Sequence, residues 1–206
     1  MIDIFRRVFP YHRFKYSNKA IQTLVISDTM FYSGMALVDI IFSVFIVETI
    51  PGATVVSLGI GHALFMMGIV IFEPIIAHYY DKASHPSTVF YGLVFGNLLK
   101  SAFRLVFIFI SSVNMFYVVF LTLGVIHSIE YPAFSKIFTQ NLDKGYESTE
   151  WSFKDLFVSF GKVVTMFLSG YIALYFGYNF LFVLSAVIMF LSGVVFPLLN
   201  KKEFVK

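Results

Sequence analysis

The chain has 206 residues, of which 58% are hydrophobic and 13% charged, and its formal net charge is +3. Soluble domains carry about 25% charged residues, so this composition excludes an ordinary soluble fold and indicates an integral membrane protein. Cysteine is absent, which excludes disulfides, thiolate metal sites and a cysteine nucleophile.

Six apolar segments follow one another along the chain. The predicted spans cover residues 20–47, 54–80, 87–110, 115–138, 153–175 and 178–199. Each is close to or above the roughly 20 residues that cross a bilayer as a helix. The sequence therefore predicts an all-α fold with a six-helix transmembrane domain over residues 20–199. It is flanked by a basic N-terminal tail, residues 1–19, and a C-terminal tail, residues 200–206.

The basic residues outside the spans lie in alternate connections. The first, third and fifth loops contain no Lys or Arg, whereas both tails and the second and fourth loops contain them. The positive-inside rule then predicts cytoplasmic termini in a cell membrane. Nucleic acid binding is not expected, because it would need the positive charges on one folded patch.

Ionisable side chains also fall inside the predicted spans. They are Asp28, Asp39, His62, Glu73, Lys100, Arg104, His127, Glu130 and Lys162. Each charge costs about 2.5–3.5 kcal/mol at mid-membrane on insertion scales. Because acids and bases occur in nearly equal number, we expect them to pair within the bundle or around a wet cavity.

One face of span 1 carries two carboxylates and a phenol. Asp28 and Asp39 lie about 20° apart around the helix, and Tyr32 lies on the same stripe. Span 3 carries Lys100 and Arg104 at a spacing of four, which places them on one face. Depth along the spans predicts that Asp39 pairs with Arg104 or Lys100.

The remaining buried cation is expected to pair in the inner half of the membrane. Lys162 of span 5 is predicted to contact Asp28 or Glu130. His127 and Glu130 share a face of span 4 by their spacing of three. Such charges serve either to fix helix register or to carry protons or a cation during transport.

The second loop contains a signature-like sequence at residues 77–85, AHYYDKASH. It resembles the loop between spans 2 and 3 of the major facilitator superfamily, G-x-x-x-D-[RK]-x-G-[RK]. Asp81 and Lys82 match the pattern, while Ala77 and Ser84 replace glycines. Residues 131–133 and 169–182 are also similar to that family's spans 4 to 6.

The resemblance implies a transporter rather than an enzyme, and one built as half of the usual twelve-span body. The two halves of that body are related by an axis along the membrane normal. The expectation is a parallel homodimer in the lipid bilayer, with span 2 against the partner's span 5. A path for a small-molecule substrate would lie between spans 1 and 4 of each subunit.

The resemblance assigns expected roles to the ionisable groups. The transport and coupling residues would be Asp28, Tyr32, Asp39, His127 and Glu130. Their charge partners would be Lys100, Arg104 and Lys162, and the cytoplasmic gate would be Glu73, Asp81 and Lys82. No nucleotide-binding loop, H-E-x-x-H metal spacing or nucleophile elbow occurs in the sequence. We therefore expect no cofactor, no metal and no catalytic residue.

Two other interpretations remain open at this point. The chain could be half of a split transporter that needs a different six-span partner. It could also be a non-transporting membrane protein, such as an assembly or lipid-handling factor. A structural protein should tolerate Asp28→Asn and Asp39→Asn, whereas a coupled transporter should not.

Overall fold

The structure, a computed structural model, describes residues 18–205, and every regular element in that range is helical. The predicted all-α fold is therefore confirmed, while residues 1–17 of the predicted N-terminal tail lie outside the described part. The long helices are α1 (Lys19–Thr49), α2 (Val55–Asp81), α3 (Pro86–Val106), α4 (Val113–Gln140) and α5 (Glu147–Phe190). A 3-10 turn, Phe107–Phe109, extends α3, and a π-helical turn, Leu191–Val195, joins α5 to the short helix α6, Phe196–Leu199.

Polar side chains fix where several helices begin. The Asn18 side chain accepts a hydrogen bond from the backbone N–H of Ile21 at 3.0 Å. Thr54 and Ser57 form a reciprocal capping box at the start of α2, and Ser112 accepts from the N–H of Met115 at the start of α4. These caps satisfy backbone donors that the first turn of a helix leaves free.

The last long helix consists of two antiparallel arms. By length and composition five helices could cross a membrane, and the last of them, Glu147–Leu199, has 53 residues. Gly177 interrupts it with non-helical φ 82° and ψ 167°, a conformation that side chains with a Cβ rarely adopt. The predicted break between spans 5 and 6 is confirmed there.

Contacts with α1 show that the chain reverses at this break. Ser27 contacts Ser192, and the adjacent Asp28 contacts Lys154. A straight helix would separate residues 154 and 192 by roughly 57 Å, so both arms must lie beside the same part of α1. We call residues 147–176 the first arm of α5 and residues 178–190 the second arm. That each arm crosses a membrane separately stays a prediction.

Helices α2 and α4 pack closely because glycines face each other. A Cβ on Gly124 would lie 2.1 Å from the carbonyl oxygen of Phe65, and one on Gly68 would lie 2.8 Å from that of Leu121. Only small residues permit such an approach of two backbones. This contact fixes the position of α4, which carries His127 and Glu130.

The interior has two apolar clusters separated by a polar layer. One cluster contains Leu24 of α1, Phe90 of α3 and Phe134 of α4. The other contains Phe42 of α1 and Phe107 beyond α3, with further residues of α4 and of the second arm. Between them lie buried polar residues, namely Ser27, Asp28, Asn97, Lys100, Ser101, Ser128, Glu130, Ser185 and Ser192. A buried polar group is costly unless it has a hydrogen-bonding or charged partner.

Pro197 explains the π-helical turn that adjoins this layer. Proline has no N–H and clashes with the carbonyl four residues earlier, and the N–H of Phe196 bonds to Leu191 instead. The carbonyls left free are satisfied by side chains of other helices. Ser27 donates to the carbonyl of Ser192 at 2.7 Å, and Asn97 donates to that of Gly193 at 3.1 Å. The turn is thereby fastened to α1 and α3.

Candidate functional site

A cavity of about 330 Å³ opens into the bundle beside α1 and α4. Its size is at the lower end of the range for small-molecule sites, about 300–1,000 Å³. Its apolar lining comprises Met35, Phe42, Phe65, Phe107, Phe120, Leu123 and Met189. Its polar lining comprises Asp39, Ser43, His62, Lys100, Arg104 and His127. The cavity thus combines an aromatic wall with a concentrated set of ionisable groups.

Arg104 and Asp39 form the outer pair of charges in this cavity. Arg104 Nη2 donates to Asp39 Oδ1 at 3.5 Å, which is one of the two pairings that the sequence predicts for Asp39. The side chain of Arg104 is 10% exposed and that of Asp39 is 37% exposed. The Arg104 guanidinium also lies 5.2 Å from the centre of the Phe107 ring, a favourable position for a cation. The cation therefore lies deep and the carboxylate lies near the opening.

Lys100 binds two groups of α4. Its Nζ forms a salt bridge with Glu130 Oε2 and lies 3.0 Å from His127 Nδ1. Glu130 is 2% exposed, so Lys100 separates this carboxylate from the cavity. The predicted shared face of His127 and Glu130 is confirmed, because both side chains reach the same ammonium.

The two histidines of the cavity are held in opposite tautomers. An ammonium donates only, so His127 Nδ1 accepts from Lys100 and the neutral ring carries its proton on Nε2. His62 Nδ1 lies 2.9 Å from the carbonyl oxygen of Leu58. A carbonyl accepts only, so His62 carries its proton on Nδ1 and has Nε2 free to accept. The cavity thus contains one imidazole donor and one imidazole acceptor.

Asp28 lies outside the cavity lining and has a different partner from the one predicted. It is 6% exposed, and its Oδ2 lies 3.5 Å from Lys154 Nζ. The expected pairing of Lys162 with Asp28 or Glu130 is wrong. Lys162 Nζ instead lies 4.8 Å from the centre of the Tyr32 ring. The predicted span 5 places Lys154 at the edge of the membrane, only one residue from its start at residue 153, whereas the helix begins at Glu147 and carries Lys154 into the bundle.

The residues expected at the cytoplasmic gate lie at the other end of α2. Glu73 and Asp81 line a second depression of about 490 Å³ between α2 and α4. Lys136 bridges the two helices there, with Nζ 2.6 Å from the carbonyl oxygen of Tyr80 and 3.8 Å from Asp81 Oδ1. Lys82 is exposed and is not among the lining residues. The sequence pattern does not single out Lys136, which lies within α4.

The fold and the site together define a class of protein. Long apolar helices surround a solvent-open cavity lined by buried charges, an arrangement typical of helical membrane transporters. The family model described as Major Facilitator Superfamily matches residues 24–204, nearly the whole described range. The chain belongs to the major facilitator superfamily, a family of transporters rather than enzymes. No curated protein matches the chain.

Proposed function

We propose that the protein is a half-size secondary transporter that carries small molecules across the cell membrane as a parallel homodimer. The observation that carries this proposal is the cavity between α1 and α4, with ionisable groups at its surface and lipid-compatible helices around it. Transporters of this family place their substrate path between two such six-helix units. Substrate would bind in the cavity and cross as the two subunits rock about it.

Coupling to a proton is supported by the groups that line the cavity. Asp39 and His127 are accessible from it, and each contacts a buried cation on α3. A proton gained or lost at either group would change the charge balance around Arg104 or Lys100. Ionisable groups placed in this way within a membrane bundle are common elements of proton relays.

The homodimer is supported by the faces that the chain leaves uncovered. Only 17% of the most apolar stretch of α2 is buried, against 39–50% for the other long helices. Gly59 on α2 and Gly170 on the first arm of α5 have nothing within 4 Å of a Cβ placed on them. Gly59 lies roughly 6 Å from the start of α2, and Gly170 lies roughly 10 Å from the end of the first arm, at the same end of the bundle. Small residues at such positions permit close helix contact. Two copies related by a two-fold axis along the membrane normal would bring these sites together twice.

Transport can be tested in sealed proteoliposomes that contain a pH-sensitive dye. A panel of small organic anions and cations is added outside, and the proton flux is recorded. The proposal predicts that at least one compound drives a flux through the protein and that Asp39→Asn abolishes it. Lys144→Gln, in an exposed connection, is the matched control and should transport normally. The proposed coupling would be contradicted if no compound drove a proton flux, or if the Asp39→Asn variant showed the full flux.

A further inference from the structure

The guanidinium of Arg104 is buried at the cavity with most of its hydrogen-bonding capacity unused. An arginine has five N–H donors, yet the only hydrogen bond from Arg104 to any residue within 18–205 is the 3.5 Å contact with Asp39. The guanidinium nitrogens that have no hydrogen-bond partner keep some accessible surface. The cavity, which Arg104 lines, is the space that they reach. A purely structural arginine is expected to make shorter, bidentate contacts.

The neighbouring charges determine what the site can accept. The accessible carboxylate is Asp39, which is already beside Arg104, whereas Glu130 lies behind Lys100. An entering cation would therefore meet two buried cations and no free carboxylate. An entering anion would meet donors of Arg104 that have no acceptor. Phe42, Phe65 and Phe120 belong to the apolar lining of the same cavity.

We infer that Arg104 is the binding group for a small organic anion whose apolar or aromatic body occupies the phenylalanine-lined part of the cavity. This inference rests on the proposed function and specifies its substrate class. A planar carboxylate or a sulfonate would bind the guanidinium through two parallel hydrogen bonds, a geometry that arginine favours over lysine. The limited volume restricts the body to about one ring or a short chain.

Asp39 then competes with the ligand for the same guanidinium. The charged and titratable groups around Asp39 come from every neighbouring helix: Tyr32 on α1, His62 on α2, Lys100 and Arg104 on α3, His127 on α4 and Lys162 on the first arm of α5. When an anion binds Arg104, the Arg104–Asp39 contact breaks and the Asp39 carboxylate takes a proton from solvent. The ligand anion and the proton therefore enter together, and the charge of the site is unchanged.

Binding of permanently charged probes tests this inference. The protein in lipid nanodiscs is titrated with benzenesulfonate or with phenyltrimethylammonium, and calorimetry in two buffers of different ionisation enthalpy measures proton uptake. We expect benzenesulfonate to bind with uptake of about one proton and the ammonium compound not to bind. Because benzenesulfonate does not titrate near neutral pH, the proton must come to the protein.

Four variants separate recognition from folding. Arg104→Lys keeps the positive charge but loses the planar pair of N–H donors. It should weaken benzenesulfonate binding at least tenfold. Asp39→Asn removes the competitor, so binding should strengthen severalfold and proton uptake should vanish. Lys144→Gln should bind as the unmodified protein does. Arg104→Gln should not bind the probe, and its melting curve shows whether it is folded.

The outcomes distinguish this inference from the proposed function. Binding of the ammonium compound alone, binding of neither probe, or unchanged affinity in Arg104→Lys would overturn the anion site. Proton-coupled flux of organic cations in proteoliposomes would do the same while leaving the transporter proposal intact. Conversely, benzenesulfonate binding with proton uptake but no flux of any compound would support the anion site and contradict the transport function.

Discussion

Lys154 Nζ lies 3.5 Å from Asp28 Oδ2 and connects the first arm of α5 to α1 inside the bundle. The ammonium also lies 5.2 Å from the centre of the Phe134 ring and 5.5 Å from that of Trp151. Since Asp28 is 6% exposed, Lys154 is its compensating charge. The pair holds the N-terminal half of the first arm against α1.

Removing one member of this pair should therefore destabilise the protein strongly. Lys154→Met leaves a buried carboxylate without its cation, which typically costs about 3–5 kcal/mol. We expect a lower melting temperature in detergent for Lys154→Met and recovery in the double variant Asp28→Asn/Lys154→Met. Lys162→Met is the matched control and should have a smaller effect. A larger loss in Lys162→Met than in Lys154→Met would contradict the assignment.

The Arg104–Asp39 pair should behave differently because it is looser and opens to the cavity. Arg104→Leu leaves Asp39 near the opening, where its side chain is 37% exposed, so the loss of stability should be smaller than for Lys154→Met. Neutralising Asp39 as well should restore part of it. Thermal unfolding of the two single variants and the double variant measures the coupling. An absence of rescue would mean that the two charges are not energetically coupled.

The pairings show how far the sequence alone could be interpreted. The Asp39–Arg104 contact followed from helical periodicity and depth, because both residues lie well inside spans whose ends were predicted within two or three residues. The Asp28–Lys154 contact did not follow, since α5 begins at Glu147 rather than at residue 153. The late predicted start leaves Lys154 at the membrane edge and favours Lys162, which lies near the centre of the predicted span 153–175. The acidic residues Glu147 and Glu150, which are typical of a first helical turn, were the available signal.

The cavity itself could not have been predicted from the pattern. Periodicity places Lys100 and Arg104 on one face of α3, yet they contact different helices, α4 and α1. Which partner each one reaches depends on the close contact of α2 and α4 and on side-chain length. Likewise, Asp28 and Asp39 share a stripe of α1, but Asp39 lines the cavity and Asp28 does not. A stripe on a long helix faces several neighbouring helices, and only packing decides which of them each residue contacts.

The two cavity histidines should give opposite signals in ¹⁵N NMR of histidine-labelled protein. His127 is expected to be protonated on Nε2 because Nδ1 accepts from Lys100, and His62 on Nδ1 because that atom donates to Leu58. Lys100→Met should remove the preference of His127 and leave His62 unchanged. Identical tautomers in the unmodified protein would contradict the hydrogen bonds described for this site.

The packing of α2 against α4 predicts a sharp difference between two glycines. Gly124→Ala places a Cβ 2.1 Å from the backbone oxygen of Phe65, whereas Gly59→Ala meets nothing within 4 Å in its own chain. Forced separation of the helices should cost about 1–3 kcal/mol. Gly124→Ala should therefore melt well below Gly59→Ala in detergent. Equal melting temperatures would show that the helices are not in close contact there.

Disulfide cross-linking in native membranes tests the two-subunit arrangement most directly, because the chain has no cysteine of its own. Two differently tagged copies are expressed together, one with Gly59→Cys and the other with Gly170→Cys. The control replaces Gly170→Cys with Phe109→Cys, which is exposed beyond α3. We expect a covalent dimer for the first combination and none for the control. Monomers in both, or equal cross-linking in both, would contradict pairing of α2 with the first arm of the partner's α5.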